Sequence, residues 1–381
     1  MSFDAVRVAV AKRMPELWGL LQAWVEQPSF TADLADCDAM ADALVAAFAL
    51  PGLTAQRTRG DGAGDHLAFT TPAWGTRPGV VLVGHHDTVF PRGTFVGFRR
   101  DAERVYGPGV LDMKGGLAVV RTALAALADT GALAGLPLAM VSVSDEEIGS
   151  VDGRRPLEAL ARGAACGLVF EAGRLTDAIV TRRKGTGKLT VSVRGRAAHA
   201  GNDLAAGINA IWALARFVDG AQRMTASDGA VTVNVGKISG GTSANTVPAE
   251  ARCEIDVRLV RAADGDRLLG ELDRLARELA AETGATFTID GGIRRAPLER
   301  TDATLPVLAR YAAAARAEGL GGDEAPLMGG GSDANTLAAL GVPSIDGLGP
   351  RGKGFHTHDE YAEVATFEPR VLALVRFLLE T

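Results

Sequence analysis

The chain has 381 residues, of which 47% are hydrophobic and 23% charged, with a formal net charge of -6. This length exceeds the size at which one hydrophobic core usually stops growing, so we expect two domains. The acidic balance lacks the basic footprint of a nucleic-acid-binding protein. Three separated cysteines in apolar surroundings predict buried thiols. We expect a cytoplasmic protein, because no signal-peptide core or membrane span of roughly 20 apolar residues is evident.

Helix and strand patterns alternate in the first half of the chain. Apolar residues at helical spacing predict helices, and short apolar runs bounded by glycine predict buried strands. The helices are predicted at residues 6–25, 37–48 and 117–131. The strands are predicted at residues 80–83, 138–143 and 167–170. Each strand leads directly into histidines or acids.

From about Lys184 the pattern changes to the alternation of half-buried strands. The predicted order is βαββαβ, a ferredoxin-like unit that packs two helices on one antiparallel sheet. Its elements are predicted at residues 189–193, 204–218, 231–238, 251–259, 268–282 and 285–289.

After Ala296 the α/β pattern resumes. It predicts a helix, a glycine-rich loop, a strand and a final helix, at residues 303–318, 329–331, 342–345 and from 367. We therefore predict an α/β fold with a discontinuous catalytic domain and a mixed sheet at residues 1–183 and 296–381. A lid and dimerisation domain is inserted at residues 184–295.

Acids and histidines gather where the predicted strands end. Ligands of open α/β sheets bind beyond the carboxyl ends of the strands, so these segments point to one site. The segments are residues 85–87, 145–147, 171 and 356–358. Imidazole and carboxylate without thiolate suit zinc. A pair of ions about 3.5–4 Å apart activates water and polarises a carbonyl, so hydrolysis is the expected chemistry.

Five short motifs follow one another along the chain in a fixed order. They are GHHDTV at 84–89, GPGVLDMKGG at 107–116, DEEIGS at 145–150, FE at 170–171 and HTHDEY at 356–361. In these motifs the chain resembles the zinc-dependent exopeptidase and deacylase family that contains glutamate carboxypeptidase, acetylornithine deacetylase, succinyl-diaminopimelate desuccinylase and aminoacylase. The resemblance covers nearly the whole chain and is closest to the glutamate carboxypeptidase branch.

The resemblance implies a site for two metal ions. His85 and Glu171 would bind one ion, and His356 and Glu147 the other. Asp112 would bridge the two. The ligand set favours zinc, although cobalt or manganese could occupy it.

Further residues around the ions also follow from the resemblance. Asp87 would accept the ring N–H of the neighbouring histidine ligand and fix its tautomer. Glu146 would be the general base that takes a proton from water and passes it to the leaving nitrogen. The peptide after Asp112 is expected to be cis and strained. His86 and His358 are expected to line the cleft rather than bind metal.

The lid domain supplies the remaining candidate residues. The resemblance implies that His199 reaches the partner's active site in a homodimer formed through the lid, where it supports an oxyanion. Asn245 and Arg258 would clamp a substrate carboxylate, since arginine holds carboxylates bidentately. Backbone donors of Gly330 and Gly331 would approach the same end of the substrate.

The expected function is a metallo-carboxypeptidase or amidohydrolase that hydrolyses the amide bond before a C-terminal, glutamate-like amino acid of a peptide or N-acyl substrate. The family's basic side chains that meet a second substrate carboxylate have no secure counterpart here, since Ala178 stands near one such position and residues 294–297 cover the other only approximately. Arg182, Arg183 and Lys184 could substitute for them, or the specificity could differ. An acetylornithine or succinyl-diaminopimelate type of deacylase therefore stays open as an alternative. A non-catalytic metal-binding or regulatory protein would be expected to lack a ligand or the base, and neither is missing.

Overall fold

The computed structural model describes residues 3–380, which form two compact units. The larger unit runs to Arg182 and resumes over Arg300–Met328 and from Ser332. The smaller unit comprises Arg183–Glu299 and Gly329–Gly331. Each unit has a hydrophobic core of its own. The predicted α/β class is confirmed.

The helices account for most of the layers that cover the sheets. None of the helices within residues 3–380 has both the length and the hydropathy that a membrane crossing needs. In chain order they are α1 (Phe3–Glu26), α2 (Leu34–Ala47), α3 (Lys114–Asp129), α4 (Arg154–Ala161), α5 (Ala210–Gln222), α6 (Ala262–Thr283), α7 (Thr304–Ala317), α8 (Asp333–Ala339) and α9 (Phe367–Leu379).

The strands form three sheets, one of six strands and two of four. In chain order they are β1 (Thr54–Thr58), β2 (His66–Thr70), β3 (Val80–His85), β4 (Arg99–Arg100), β5 (Arg104–Tyr106), β6 (Leu138–Val143), β7 (Cys166–Val169), β8 (Gly185–Arg194), β9 (Val231–Gly240), β10 (Glu250–Leu259), β11 (Thr286–Arg295), β12 (Ser344–Ile345), β13 (Gly352–Lys353) and β14 (Tyr361–Glu363).

The central sheet of the larger unit is mixed, with strand order β1-β2-β6-β3-β7-β12. β3 is parallel to both β6 and β7, whereas β2 is antiparallel to β6. All residues of β3, β6 and β7 are buried, as expected for parallel strands covered on both faces. Their carboxyl ends therefore meet at one edge of the sheet.

Helix α3 packs against β3, α1 and α9, and its side chains from Lys114 to Leu127 are buried. Two glycines allow this close approach. A Cβ at Gly84 would lie 2.7 Å from Met113 Cε, and a Cβ at Gly116 would lie 2.1 Å from the carbonyl oxygen of Phe170. The start of α3 is thereby held against the ends of β3 and β7.

A small antiparallel sheet in the larger unit has the order β13-β14-β5-β4. Tyr361 of β14 lies opposite Tyr106 of β5. This pairing places the segment before β14 beside the segment after β5. Those two segments carry His356 and Asp112, so the small sheet brings together residues separated by more than half the chain.

The smaller unit has the order β8, α5, β9, β10, α6, β11, with an antiparallel sheet β11-β8-β10-β9. Alternate residues of β8 and β10 face the helices and form the core, with Val191 opposite Cys253. Leu214 and Phe217 of α5 pack into this core. β9 is an edge strand, and its residues from Gly236 to Gly240 are exposed.

Several elements differ from the predictions. The helix predicted from residue 204 begins only at Ala210, where Asn209 caps it by accepting the N–H of Trp212 at 2.8 Å. Leu204–Ala206 form a separate short 3-10 turn. β1, β2, α4, α8 and the small sheet were not predicted, because most of them are too short or too exposed to show a periodic apolar pattern.

Candidate metal centre

Three neighbouring strands of the central sheet deliver the candidate residues. His85 is the last residue of β3 and lies opposite Val143 of β6. The chain then continues from β6 into the short 3-10 helix Glu146–Ile148, and from β7 to Glu171. The parallel register therefore brings these side chains to one edge of the sheet. This edge, at the carboxyl ends of the strands, is where open α/β sheets bind their ligands.

Asp112 lies between two histidines and faces each with a different oxygen. Its Oδ1 is 3.2 Å from Nε2 of His85, and its Oδ2 is 3.2 Å from Nε2 of His356. Glu171 Oε1 is 3.7 Å from His85 Nε2, and Glu147 Oε2 is 3.0 Å from His356 Nε2. Two groups of candidate ligands thus face one carboxylate, and they are the residues that the resemblance implies.

The donor chemistry of these groups fits divalent cations. Burial, followed by the charge of Asp112, raises the pKa of Glu171 well above its ordinary value. Burial also raises the pKa of Glu147. Buried carboxylates that repel one another are stabilised by a bound cation. Ligand atoms of His85, Asp112 and Glu147 all lie within 4.8 Å of one another, which is close enough to share an ion.

Asp87 connects both ligand groups through its buried carboxylate. Nδ1 of His85 lies 3.3 Å from Asp87 Oδ1 and 3.1 Å from the Asp87 carbonyl oxygen, which leaves Nε2 for Asp112. The backbone N–H groups of Glu146 and Glu147 donate to the same carboxylate at 3.2 Å. One carboxylate therefore orients a histidine and the two adjacent glutamates.

A hydroxyl that the sequence did not reveal completes the environment of Asp87. Thr31 Oγ1 donates to Asp87 Oδ2 at 2.7 Å. Burial alone would raise the pKa of Asp87, but the hydrogen bonds from His85 and Thr31 lower it below its ordinary value. Thr31 lies in the loop after α1, 56 residues before its partner, where no local pattern marks it.

The two adjacent glutamates point to different groups. Glu147 approaches His356, whereas the Glu146 carboxylate lies within 4.8 Å of ligand atoms of His85 and Glu171. The turn that allows this includes Gly149 and Ser150, both with positive φ. Glu146 thus lies beside the group of His85 and Glu171, where a carboxylate can act as a base for a water molecule held there.

The other histidines divide into buried and exposed ones. The expectation that His86 lines the cleft is wrong: its ring is fully buried, and Nδ1 lies 2.9 Å from Ser142 Oγ. Burial lowers the pKa of His86 to about 3. His66 is also buried, and its Nε2 lies 3.0 Å from Asp152 Oδ2. His358 is exposed, with its ring centre 5.4 Å from that of Phe95.

The peptide bond between Asp112 and Met113 is cis, as the resemblance implies. The backbone of His356 also adopts a positive φ of 65°. Both features lie at candidate ligands, the shared aspartate and one of the two histidines that face it.

The remaining candidate residues all lie in the smaller unit. Nδ1 of His199 accepts the N–H groups of Gly201 and Asn202 at 3.1 Å, so its exposed Nε2 carries the proton and is a donor. Oδ1 of Asn245 accepts the Ser243 hydroxyl at 2.8 Å.

The predicted carboxylate clamp already holds a carboxylate within its own strand. Arg258 donates to both oxygens of Asp256, with Nε at 2.8 Å and Nη2 at 3.1 Å. In the glycine loop, the carbonyl oxygen of Gly330 accepts a hydrogen bond from Arg183 at 3.1 Å, and Gly331 is half-buried. The pairing of Arg258 with Asp256 was not indicated by the sequence.

Comparison with known proteins gives a consistent family. A profile of Peptidase family M20/M25/M40 matches residues 81–380. The chain is 27% identical over 383 residues to carboxypeptidase G2 of Pseudomonas sp. (strain RS-16), covering 98% of this chain and 91% of that relative. It is 28% identical over 391 residues to succinyl-diaminopimelate desuccinylase of Xylella fastidiosa (strain 9a5c), covering 93% and 96%. The structure of aminopeptidase PepT from Bacillus cereus ATCC 10987 matches with a TM-score of 0.78 at 23% identity, covering 96% and 97%.

Metal removal is expected to make the fold sensitive to alkali. Without metal, the carboxylates of Asp112 and Glu147 raise the pKa of His356 from 6.5 to about 10, and the pKa of Glu171 is also raised. The folded chain then binds protons that the unfolded chain has released. Stability from the histidine is complete below its unfolded pKa of about 6.5 and is lost as the pH rises toward about 10.

The melting temperature of chelator-treated and zinc-loaded protein, followed across this pH range, measures the effect. The metal-free form should lose stability more steeply, because cations replace the protons in the loaded form. Other titrating groups cancel in the difference between the two forms. Parallel curves would contradict the expectation.

Proposed function

The chain belongs to peptidase family M20/M25/M40 and is a metal-dependent hydrolase, and we propose that it is a two-zinc carboxypeptidase or amidohydrolase. It would hydrolyse the amide bond before a C-terminal, glutamate-like amino acid. The observation that carries this proposal is the Asp112 carboxylate between His85 and His356. The relationship to carboxypeptidase G2 supports the direction of cleavage.

The proposed ligands are the five side chains of the two groups described above. They are His85, Asp112, Glu147, Glu171 and His356. A bound pair of zinc ions would supply Lewis acidity for the scissile carbonyl and would make a water molecule nucleophilic enough to attack at neutral pH. Nitrogen and oxygen ligands without thiolate suit zinc.

Glu146 acts as the proton carrier in this proposal. Its carboxylate accepts a proton as the water oxygen forms a bond to the carbonyl carbon. The C–N bond then breaks, and Glu146 returns that proton to the leaving nitrogen, so that an acid and an amine are formed. The Asp87 carboxylate keeps the backbone of Glu146 and the ring of His85 in position during both steps.

Recognition of the substrate carboxylate is assigned to the smaller unit. The two hydrogen bonds from Arg258 to Asp256 support this assignment, because a guanidinium group holds a substrate carboxylate in the same bidentate way. A substrate carboxylate would take the place of Asp256. Asn245, whose carboxamide is oriented by Ser243, would donate to the same group, as would backbone N–H groups of Gly330 and Gly331.

The smaller unit also presents a surface suited to a second copy of the chain. β9 is an exposed edge strand, and Ile238 on it is 59% exposed. Ile211 and Trp212 of α5 are also exposed. Ile211 lies close to Gly241, just beyond β9, since a Cβ added to Gly241 would lie 3.1 Å from Ile211 Cδ1. An edge strand presents unpaired N–H and C=O groups, which favour pairing with another strand. We propose a homodimer through this edge, in which the partner's His199 donates to the oxyanion.

Replacing the general base tests the mechanism. Glu146→Gln should lower kcat by about 10²–10⁴-fold, because the carboxamide cannot accept the proton of water. Its zinc content should remain that of the parent. The adjacent Glu147→Gln is the matched control and should lose zinc together with activity. Persistent hydrolysis by Glu146→Gln, measured on the same zinc-loaded basis, would show that this mechanism is wrong.

A substrate panel tests the direction and the specificity. N-acyl-glutamate should be hydrolysed with a higher kcat/KM than N-acetylornithine or N-succinyl-diaminopimelate. Arg258→Lys should lower kcat/KM for N-acyl-glutamate about 10- to 100-fold, since a charged, bidentate hydrogen bond is lost. Preference for the succinyl substrate would instead support the deacylase alternative, which the desuccinylase relatives favour.

Mixed dimers test the role of His199. His199→Ala and Glu146→Gln chains should each be inactive alone, yet regain activity when they are unfolded together and refolded as a mixture. The His199→Ala chain then keeps its own Glu146 and receives His199 from its partner. No recovery, although mass spectrometry detects mixed dimers, would contradict a role in the partner's site.

A further inference from the structure

Glu360 is a buried carboxylate next to the metal centre that the proposed mechanism does not use. Glu360 is fully buried. Both of its carboxyl oxygens accept hydrogen bonds from backbone N–H groups. Oε1 accepts from Leu111 at 2.8 Å and from Asp112 at 3.0 Å, while Oε2 accepts from Gly109 at 3.1 Å. All three donors belong to the loop that ends in the bridging aspartate.

This loop is folded around the carboxylate. Gly107 and Gly109 have φ values of 144° and 77°, which turn nearby N–H groups toward a common point. Convergent backbone N–H groups form a nest that binds an anion. A Cβ at Gly109 would lie 3.1 Å from side chains of Lys114 and Thr88, so the turn has little space to rearrange. The carboxyl group that accepts these N–H groups comes from the chain itself, from a position 248 residues away from Asp112.

The same side chain belongs to the segment that carries His356. The N–H of Glu360 donates to the carbonyl oxygen of Thr357 at 3.3 Å, which closes the turn after His356. Asp112 Oδ2 lies 3.2 Å from His356 Nε2, so these two residues belong to the same group of candidate ligands. Glu360 therefore ties the backbone of one proposed ligand to the segment of another.

We propose that Glu360 is a positioning residue of the metal centre, which fixes the backbone of Asp112 relative to His356 so that the shared carboxylate is oriented before a cation binds. The proposal rests on the ligand roles of Asp112 and His356 given under the proposed function. Glu360 acts through Asp112 and contacts neither the substrate nor the metal.

Zinc affinity of the metal-free protein is the primary test. Glu360→Ala should weaken zinc binding about 10- to 100-fold, the range found when partners behind metal ligands are removed. The measurement is competition with a chromogenic zinc chelator. Glu360→Gln should fall between the parent and Glu360→Ala, because its carbonyl oxygen can still accept the N–H groups of Leu111 and Asp112. Glu363→Gln is the matched control, since this carboxylate pairs with Arg351 at 2.8 Å instead.

A second readout separates positioning from general loss of structure. Excess zinc should restore kcat in Glu360→Gln with KM unchanged, and the absorption spectrum of the cobalt-loaded variant should differ from that of the parent. Unchanged zinc affinity in Glu360→Gln would overturn the proposal, and this test remains valid even when Glu360→Ala fails to fold. Equal weakening in Glu363→Gln would overturn it too. Unchanged affinity in Asp112→Asn would remove the ligand assignment on which the proposal rests.

Discussion

The repulsion between carboxylates around Asp112 is the constraint on which the larger unit depends. Burial alone would raise the pKa of Asp112, but hydrogen bonds from His356 and His85 lower it, so this carboxylate keeps its charge. The same charge raises the pKa values of Glu147 and Glu171. The same cluster of acids that makes the site able to bind cations destabilises the metal-free fold, because the carboxylates repel one another. The surrounding structure must therefore hold the acids together in the absence of metal.

Buried carboxylates bound by backbone N–H groups provide that support. Asp87 accepts from Glu146 and Glu147, and Asp145 accepts from Asp152 and Gly153. Such charge-assisted hydrogen bonds fix loop backbone without another positively charged side chain, which would compete with the metal. The ligand loops can thus be irregular in backbone and still be well positioned. This explains why glycines and other residues with positive φ are found at and beside the candidate ligands.

Sequence reasoning succeeded where the signal was local and failed where the partners are distant. The central strands were predicted because each is a short apolar run followed by acids or histidines, and His85 and Glu171 lie within two residues of such runs. Thr31 and Glu360 were missed because their partners lie 56 and about 250 residues away. The expectation for His86 was wrong because adjacent residues of an extended backbone point to opposite sides, so His86 points away from the side that His85 faces. The small sheet has strands too short to show periodicity.

The division into two units explains why substrate specificity is harder to infer than metal binding. All proposed ligands belong to the larger unit, whereas His199, Asn245, Arg258 and the glycine pair belong to the smaller one. Each unit has its own core, so residues of one can change without disturbing the packing of the other. Similar identity to a carboxypeptidase and to desuccinylases is then expected, because shared metal motifs contribute to both matches. Under the proposed function, the reaction would be decided by the few side chains that approach the ends of the substrate, which the metal motifs do not specify.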